Sequence, residues 1–364
     1  MSRALEYVKD RPAYAAQPRT VVVYLFVKRA LLRLCKLLGL FRLSIRLTSR
    51  GCRILCYHGF SLADESAFSK RTFIDPGTFE KRMAFLKRNG FRVLGLVEAL
   101  DLLDADAVPP KATVITIDDG FPSVRTVAWP ILQKYGFPAT IYVSTYYAVK
   151  ENPVFNLAIQ YLFWKTKKTE LDVTGIGIAR SGVVSLGAED EKTALLWEIV
   201  RHGDDDCDEE GRVRLSRAIG ERLGVDYEGI AKSRMLGVMT LDEIKELAAS
   251  GADIQLHTHR HEFPRVRERA VREIRENRAV LEPLVGKTLE HFCYPSGFWA
   301  EDQWPWLAET HMRSAVTCES GLNYRDTPRY GLKRIGDDEG LSPIELEAQI
   351  CGFYEMLRGL IKSR

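Results

Sequence analysis

The chain has 364 residues, 46% of them hydrophobic and 28% charged, enough to bury a sizeable core in one large domain or two modest ones. Its formal net charge is +3, yet residues 1–50 hold 11 basic and two acidic side chains, so the remainder is net acidic. A cationic arm on an acidic body argues against a nucleic-acid enzyme, whose working face would itself be basic, and suggests an anionic membrane surface met by one end.

Residues 1–20 are polar and carry Pro12 and Pro18, unlike a secretory signal. From Val21 to Leu47 an apolar run is broken by Lys28, Arg29, Arg33, Lys36, Arg42 and Arg46, too many charges for a membrane span. At about 100° per residue, the first four charges share one helical sector. Val27, Leu31, Leu34, Leu38 and Phe41 gather opposite, and Leu25 and Leu32 intrude on the basic side. Such an amphipathic helix either lies in an anionic membrane interface or docks its leucines on the domain, with an N-terminal signal anchor as a third reading.

After this arm, strand-like and helix-like segments alternate, the signature of a parallel sheet covered by helices. The expected strands are Arg53–Tyr57, Phe91–Leu94, Thr113–Ile117, Ala139–Val143, Ala252–Leu256, Phe292–Tyr294, Ser314–Thr317 and Leu332–Ile335, a count that suits a barrel. The expected helices are Thr78–Arg88, capped by Thr78, then Leu96–Leu103, Ser123–Tyr135, Leu241–Ala249, Arg265–Leu281 and Ile344–Leu360. Residues 147–236 break the rhythm with helices near Phe155–Trp164, Lys192–Arg201 and Val213–Leu223 and polar strand-like pieces between, an insertion on the side where function would sit. The acidic run from Asp204 to Glu210 lacks calcium-loop spacing and reads as a solvated loop capping the next helix. The division expected is an arm at 1–50, a domain at 51–345 with its insertion, and a C-terminal helix at 346–364.

The seven cysteines are scattered, odd in number and without Cys-x-x-Cys spacing, which fits free thiols in a reducing compartment. Cys52, Cys56, Cys293 and Cys318 lie in or beside strands and read as small buried apolar residues.

Two polar clusters follow strands. Asp118-Asp119-Gly120 ends the β-branched run Thr113–Ile117, and His257-Thr258-His259-Arg260-His261 ends Ala252–Leu256. Alone, the first is often a turn and the second often a solvated helix face. Together, at strand ends where parallel α/β folds place function, they read as a mononuclear metal hydrolase site. One carboxylate and two imidazoles suit Zn²⁺ or a similar divalent ion, with His259 able to replace either neighbouring histidine, and the spare carboxylate is a candidate general base.

Residues 52–340 resemble the polysaccharide deacetylases of the carbohydrate esterase family 4 type. Thr116-Ile117-Asp118-Asp119-Gly120 is similar to their Thr-Phe-Asp-Asp-Gly motif, Gly136-Phe137-Pro138-Ala139-Thr140 to their Gly-x-Pro-Ala-Thr segment, and His257-Thr258-x-x-His261 to their His-Ser/Thr-x-x-His motif. The resemblance implies a distorted (β/α) barrel with an inserted helical subdomain beyond the amphipathic arm. It makes Asp118 the base and Asp119, His257 and His261 the ligands of a divalent metal, Zn²⁺ or Co²⁺, with His259 outside. Tyr294-Pro295-Ser296 would form the oxyanion and substrate contact, while Cys293 stands where many members have the arginine that orients the base. Arg334 is the candidate replacement. His58, after Leu55-Cys56-Tyr57, is the candidate general acid, an arrangement resembling poly-N-acetylglucosamine deacetylases with permuted motifs.

The function implied is N-deacetylation of an amino sugar in surface polysaccharide or lipopolysaccharide assembly, on an N-acetylated glycan or a lipid-linked sugar. The location expected is cytoplasmic, with residues 21–47 peripheral at the inner face of the membrane. The alternatives are removal of formyl or another small acyl group, and a catalytically silent glycan-binding or membrane scaffold protein.

Overall fold

A computed structural model describes residues 19–362 and places eight strands in one parallel sheet. They are β1 (Arg53–Tyr57), β2 (Arg92–Leu94), β3 (Ala112–Ile117), β4 (Thr140–Val143), β5 (Asp253–Leu256), β6 (His291–Cys293), β7 (Ser314–Val316) and β8 (Ile335–Gly336), in the order β7-β6-β5-β4-β3-β1-β8. Every pairing in this sheet is parallel, so each crossover must run over the outside, and helices cover the sheet as the alternating pattern requires.

β3 is central and buried at all six positions. One of its edges pairs with β1 from Arg53↔Thr113 to Tyr57↔Ile117. Its other edge is divided: β2 takes residues 112–114 and β4 takes Thr116 and Ile117. The expected last strand, Leu332–Ile335, is a distorted seam. Leu332 bridges Val316 on one side, while Ile335 and Gly336 pair with Leu55 and Cys56 on the other, so residues 332–336 join the two edges of the sheet.

Alternation along the strands divides the core in two. Ile54, Val114, Tyr142, Cys293 and Val316 form one cluster with the helix Leu96–Asp104. Leu55, Tyr57, Ile115, Ile117, Ile141, Phe292 and Tyr294 belong to the larger cluster beneath the outer helices.

Several local expectations change. The helix Pro76–Arg88 is capped by Asp75, whose carboxylate accepts from the Thr78 N–H at 3.0 Å, so Thr78 is not the cap. The segment Ser123–Tyr135 starts with a π-helical turn over Val124–Ala128 before the α-helix Trp129–Tyr135. The C-terminal helix is two helices, Pro343–Ile350 and Phe353–Lys362, and the first crosses the expected boundary at 345/346. The break holds Gly352 at φ 78°, where an added Cβ would meet Thr48 Oγ1 at 2.3 Å, so close contact with the arm requires glycine there. Cys318 is exposed rather than buried, because it lies beyond the end of β7.

The first 18 residues of the arm lie outside the described residues. The rest forms Arg19–Leu37 and Leu40–Leu47, broken at Gly39, which takes a left-handed conformation at φ 80°. The docking is the reverse of the leucine-inward expectation. Lys28 and Arg29 pair with Glu345 at 3.0 and 2.8 Å, and Lys36 pairs with Glu347 at 2.6 Å. Leu32, on the basic side of the helix, is buried with Phe41 against Ile344, Ala348 and Phe353. Val27, Leu31, Leu34 and Leu38 face solvent, as do Phe26 and Leu37 at 72% and 85% exposure. No helix among the described residues is long and apolar enough to cross a membrane.

Between β4 and β5 the chain forms helices Phe155–Lys165, Glu189–Asp206, Glu209–Leu223 and Tyr227–Ser233, with a small antiparallel pair, Glu170–Asp172 and Val183–Ser185. Asp204–Asp206 finish a helix instead of standing in a loop, while Asp208 caps the next by accepting from Gly211 N–H at 2.8 Å. Phe68 meets Tyr161 and Trp164 at ring distances of 5.3 and 5.7 Å, seating this insertion on the segment that follows β1.

Candidate metal centre

The two polar clusters meet at the C-terminal ends of β3 and β5. Asp119 Oδ1 lies 3.2 Å from His257 Nε2 and 3.2 Å from His261 Nε2. Tetrahedral ligands about 2.0–2.1 Å from one zinc ion stand about 3.3 Å apart, so both separations suit such an ion, and the three atoms all lie within 4.8 Å of one another. The tautomer fits as well. His257 Nδ1 is 2.8 Å from the Cys293 carbonyl, which can only accept, so the proton sits on Nδ1 and the Nε2 lone pair faces the cluster.

Backbone conformation achieves this convergence. Among the described residues nine non-glycine positions have positive φ, and Asp119, Thr258, His261 and Ser296 are four of them. Left-handed conformations are unfavourable for such residues and concentrate where geometry matters more than local comfort. Burial raises the Asp119 pKa, but where the two ring nitrogens carry protons they donate to its carboxylate and hold it well below the usual range; without those protons the same nitrogens offer lone pairs to a cation.

Asp118 occupies the interior end of the barrel, two residues on from inward-facing Thr116. Its backbone N–H donates to Tyr57 at 2.9 Å, extending the β1–β3 ladder by one bond. Arg334 Nη1 donates to Oδ1 at 2.7 Å, and Arg334 Nε is held by the Thr317 carbonyl at 2.8 Å. On Oδ2 the Cys293 and Cys56 thiols lie at 3.3 and 3.6 Å, with His58 Nε2 at 3.8 Å. Burial raises the Asp118 pKa, but Arg334 prevails and brings it to about 2, so the group is a carboxylate. His58 is 32% exposed and sits between solvent and Asp118.

The other expected residues divide. His259 turns away: its Nδ1 bonds Thr145 Oγ1 at 2.8 Å and its ring packs edge-on to Tyr146. Pro295 and Ser296 form a tight turn after β6, with Ser296 exposed at φ 56°. The Tyr294 side chain lies apart from this turn. Cys293 faces the lumen, so strand alternation sends Tyr294 outward, where it is buried and donates to the Tyr330 carbonyl at 3.0 Å.

Asn277, absent from the sequence expectations, is fully buried. Its Oδ1 accepts from the His257 N–H at 3.0 Å, and Nδ2 donates to the Val143 carbonyl and Thr145 Oγ1, both at 3.0 Å. The signal was available: Ala270, Ile274, Asn277 and Leu281 recur at helical spacing, with one amide in an otherwise apolar stripe.

The family model described as polysaccharide deacetylase matches residues 219–315. A Bacillus subtilis (strain 168) protein named for that family, YxkH, is 36% identical over 91 residues, 25% of this chain and 30% of its own length. The poly-beta-1,6-N-acetyl-D-glucosamine N-deacetylase of Escherichia coli K12 is 29% identical over 80 residues, 22% of this chain and 12% of that protein. The match thus spans less than a third of these curated relatives. In structure, Streptococcus pyogenes deacetylase PplD, solved with acetate, aligns with TM-score 0.54 and 18% identity, covering 82% of this chain and 98% of that one. IcaB from Ammonifex degensii aligns with TM-score 0.50 and 19% identity over 83% and 97% of the two chains. The chain thus shares the parallel barrel of solved deacetylases, and its segment 219–315, which spans the His257–His261 turn, matches the polysaccharide deacetylase family model.

Proposed function

We propose that the protein is a metal-dependent hydrolase that removes N-acetyl groups from an amino sugar of a surface glycan. The observation that carries this reading is the convergence of Asp119 Oδ1, His257 Nε2 and His261 Nε2, beside a second carboxylate that Arg334 holds apart. A divalent ion held by these three would polarise the acetyl carbonyl and acidify water. Asp118, fixed as a carboxylate, accepts the proton of the attacking water. The Ser296 N–H donates to the oxyanion, and protonated His58 supplies the departing amine with its proton. Asp118 and Asp119 are therefore neighbours in sequence with separate duties, one moving a proton and the other binding metal.

The assay is amine release from N-acetylglucosamine oligomers and lipid-linked N-acetyl sugars with added Zn²⁺ or Co²⁺, comparing wild type with Asp118→Asn. Release that the variant loses while retaining metal supports the proposal. Equal release from both, or none from any N-acetylated or N-formylated sugar at stoichiometric metal, overturns it.

The arm supports a second element of the reading, in which the protein rests on an anionic lipid surface at the inner face of the membrane, where a lipid-linked sugar would be presented. Its basic anchors face the body, leaving Val27, Leu31, Leu34 and Leu38 outward beside the exposed Arg33, Arg42 and Arg46. No acidic residue lies between Asp10 and Asp64 to oppose anionic headgroups. Co-sedimentation with phosphatidylglycerol vesicles that Leu31→Ser/Leu34→Ser/Leu38→Ser abolishes is the expected outcome. Sedimentation unaffected by the three substitutions removes this element.

A further inference from the structure

Beside the candidate metal centre lies a second group of ligand atoms with a softer donor. Cys56 and His58 are two apart across the end of β1, so both side chains take the same face of the strand, and Asp118 follows on the neighbouring strand β3. Cys56 Sγ is 3.6 Å from Asp118 Oδ2, His58 Nε2 is 3.8 Å from the same oxygen, and the three atoms lie within 4.8 Å of one another. A sulfur about 2.3 Å and an oxygen about 2.0 Å from a tetrahedral zinc ion stand about 3.5 Å apart, close to what is found here.

We propose that Cys56, His58 and Asp118 form a second, regulatory site for a thiophilic divalent cation such as Zn²⁺, and that its occupation switches the enzyme off. Binding is a proton exchange: the sulfur–metal bond forms as Cys56 gives up its Sγ proton to solvent, and His58 and Asp118 donate lone pairs. Thiolate and carboxylate bring two negative charges to the ion, the second of them shared with Arg334. Arg334 stays on Oδ1, so only Oδ2 turns to the metal, held as an outer partner holds a ligating carboxylate. Partly exposed His58 gives access from solvent. The inhibitory consequence rests on the proposed hydrolase reading, because the cation would take both the base and the acid; the binding site does not rest on it.

The test begins without substrate. Metal-free protein is titrated with Co²⁺, following near-ultraviolet thiolate-to-cobalt charge-transfer absorption and released protons. Two equivalents are expected, the second accompanied by the thiolate band. In Cys56→Ser the band disappears and the second equivalent binds roughly 100-fold more weakly or not at all. A single equivalent, or a second one without thiolate absorption in the wild type, overturns the site whether or not the variant folds. Activity then reads the consequence: deacetylation should rise with the first equivalent of Zn²⁺ and fall with the second, and the ratio of activity at the two levels should stop falling in Cys56→Ser. A thiolate band without any hydrolysis would leave the site standing and the hydrolase reading overturned.

Discussion

Arg334 Nη1 donates to Asp118 Oδ1 at 2.7 Å although Arg334 arises from the seam of the barrel, 216 residues away, and both side chains are almost wholly buried. A buried arginine without its carboxylate, or the reverse, is costly, so the two are bound to each other's presence. Arg334→Met should lower kcat by about 100-fold or more while bound metal is retained, and should reduce unfolding stability by about 3–5 kcal/mol. Turnover, metal content and denaturant unfolding check the three parts separately.

Asp118 and Asp119 should separate cleanly on substitution. Asp118→Asn is expected to keep metal and lose turnover, because the amide fits the Arg334 pocket but cannot accept a proton. Asp119→Asn should lose metal affinity first. Equilibrium dialysis with Zn²⁺ on both variants distinguishes the roles.

His58 acts at the leaving group in this scheme, so its importance should depend on the substrate. His58→Gln is expected to reduce N-deacetylation by about 10²–10⁴-fold, with a smaller loss on an aryl acetate whose leaving group needs no proton. Equal losses on both would place His58 elsewhere in the reaction.

Asn277 is an outer support for the metal centre. Asn277→Ala leaves the His257 N–H, the Val143 carbonyl and Thr145 Oγ1 without their partner. Metal affinity should fall by about 10–100-fold, and stability by about 1–3 kcal/mol for each group that water does not reach. Metal titration and thermal unfolding supply the check.

The arm's docking should depend on acid. Burial works against the charge on Glu345, but Ser342, Lys28 and Arg29 hold its pKa down at about 2, below its ordinary value of 4.5. A depressed folded-state pKa contributes stability that is complete above about 4.5 and is lost as pH falls toward 2. Protection of the amides in residues 24–37, measured against their intrinsic exchange rate at each pH, should therefore fall between pH 4.5 and 2. Glu345→Gln should show the faster exchange at neutral pH.

Legibility of the sequence followed the strength of local patterning. β-branched runs such as Val114–Ile117 locate strands well, and β1 begins and ends where it is expected. Asp118 and the His257–His261 turn stand out because polar residues interrupt buried strands. Helix faces were harder. The arm's pattern gave the correct amphipathicity but not its direction, since two glutamates more than 300 residues away hold the basic side inward. The motif assigns Tyr294 a role shared with its two neighbours, whereas strand alternation sends its side chain to the face opposite Cys293. Cys56 is buried as its strand position implies, while nothing in its own strand reveals that Asp118 lies beside it.

In the proposed mechanism the seam at residues 332–336 ties the base to the least regular part of the sheet. Leu332 holds one edge by a bridge to Val316, supported by the Arg334 N–H on the Glu319 carbonyl at 2.8 Å, and Ile335–Gly336 hold the other with two paired residues, while Arg334 sits between them with its side chain on Asp118. Opening that join by a few ångströms would detach Asp118 without disturbing β3 or the three ligand atoms. On warming, hydrolysis should fade while metal is still bound and far-ultraviolet dichroism is unchanged, so a thermal inactivation curve would report the integrity of this closure rather than unfolding of the barrel.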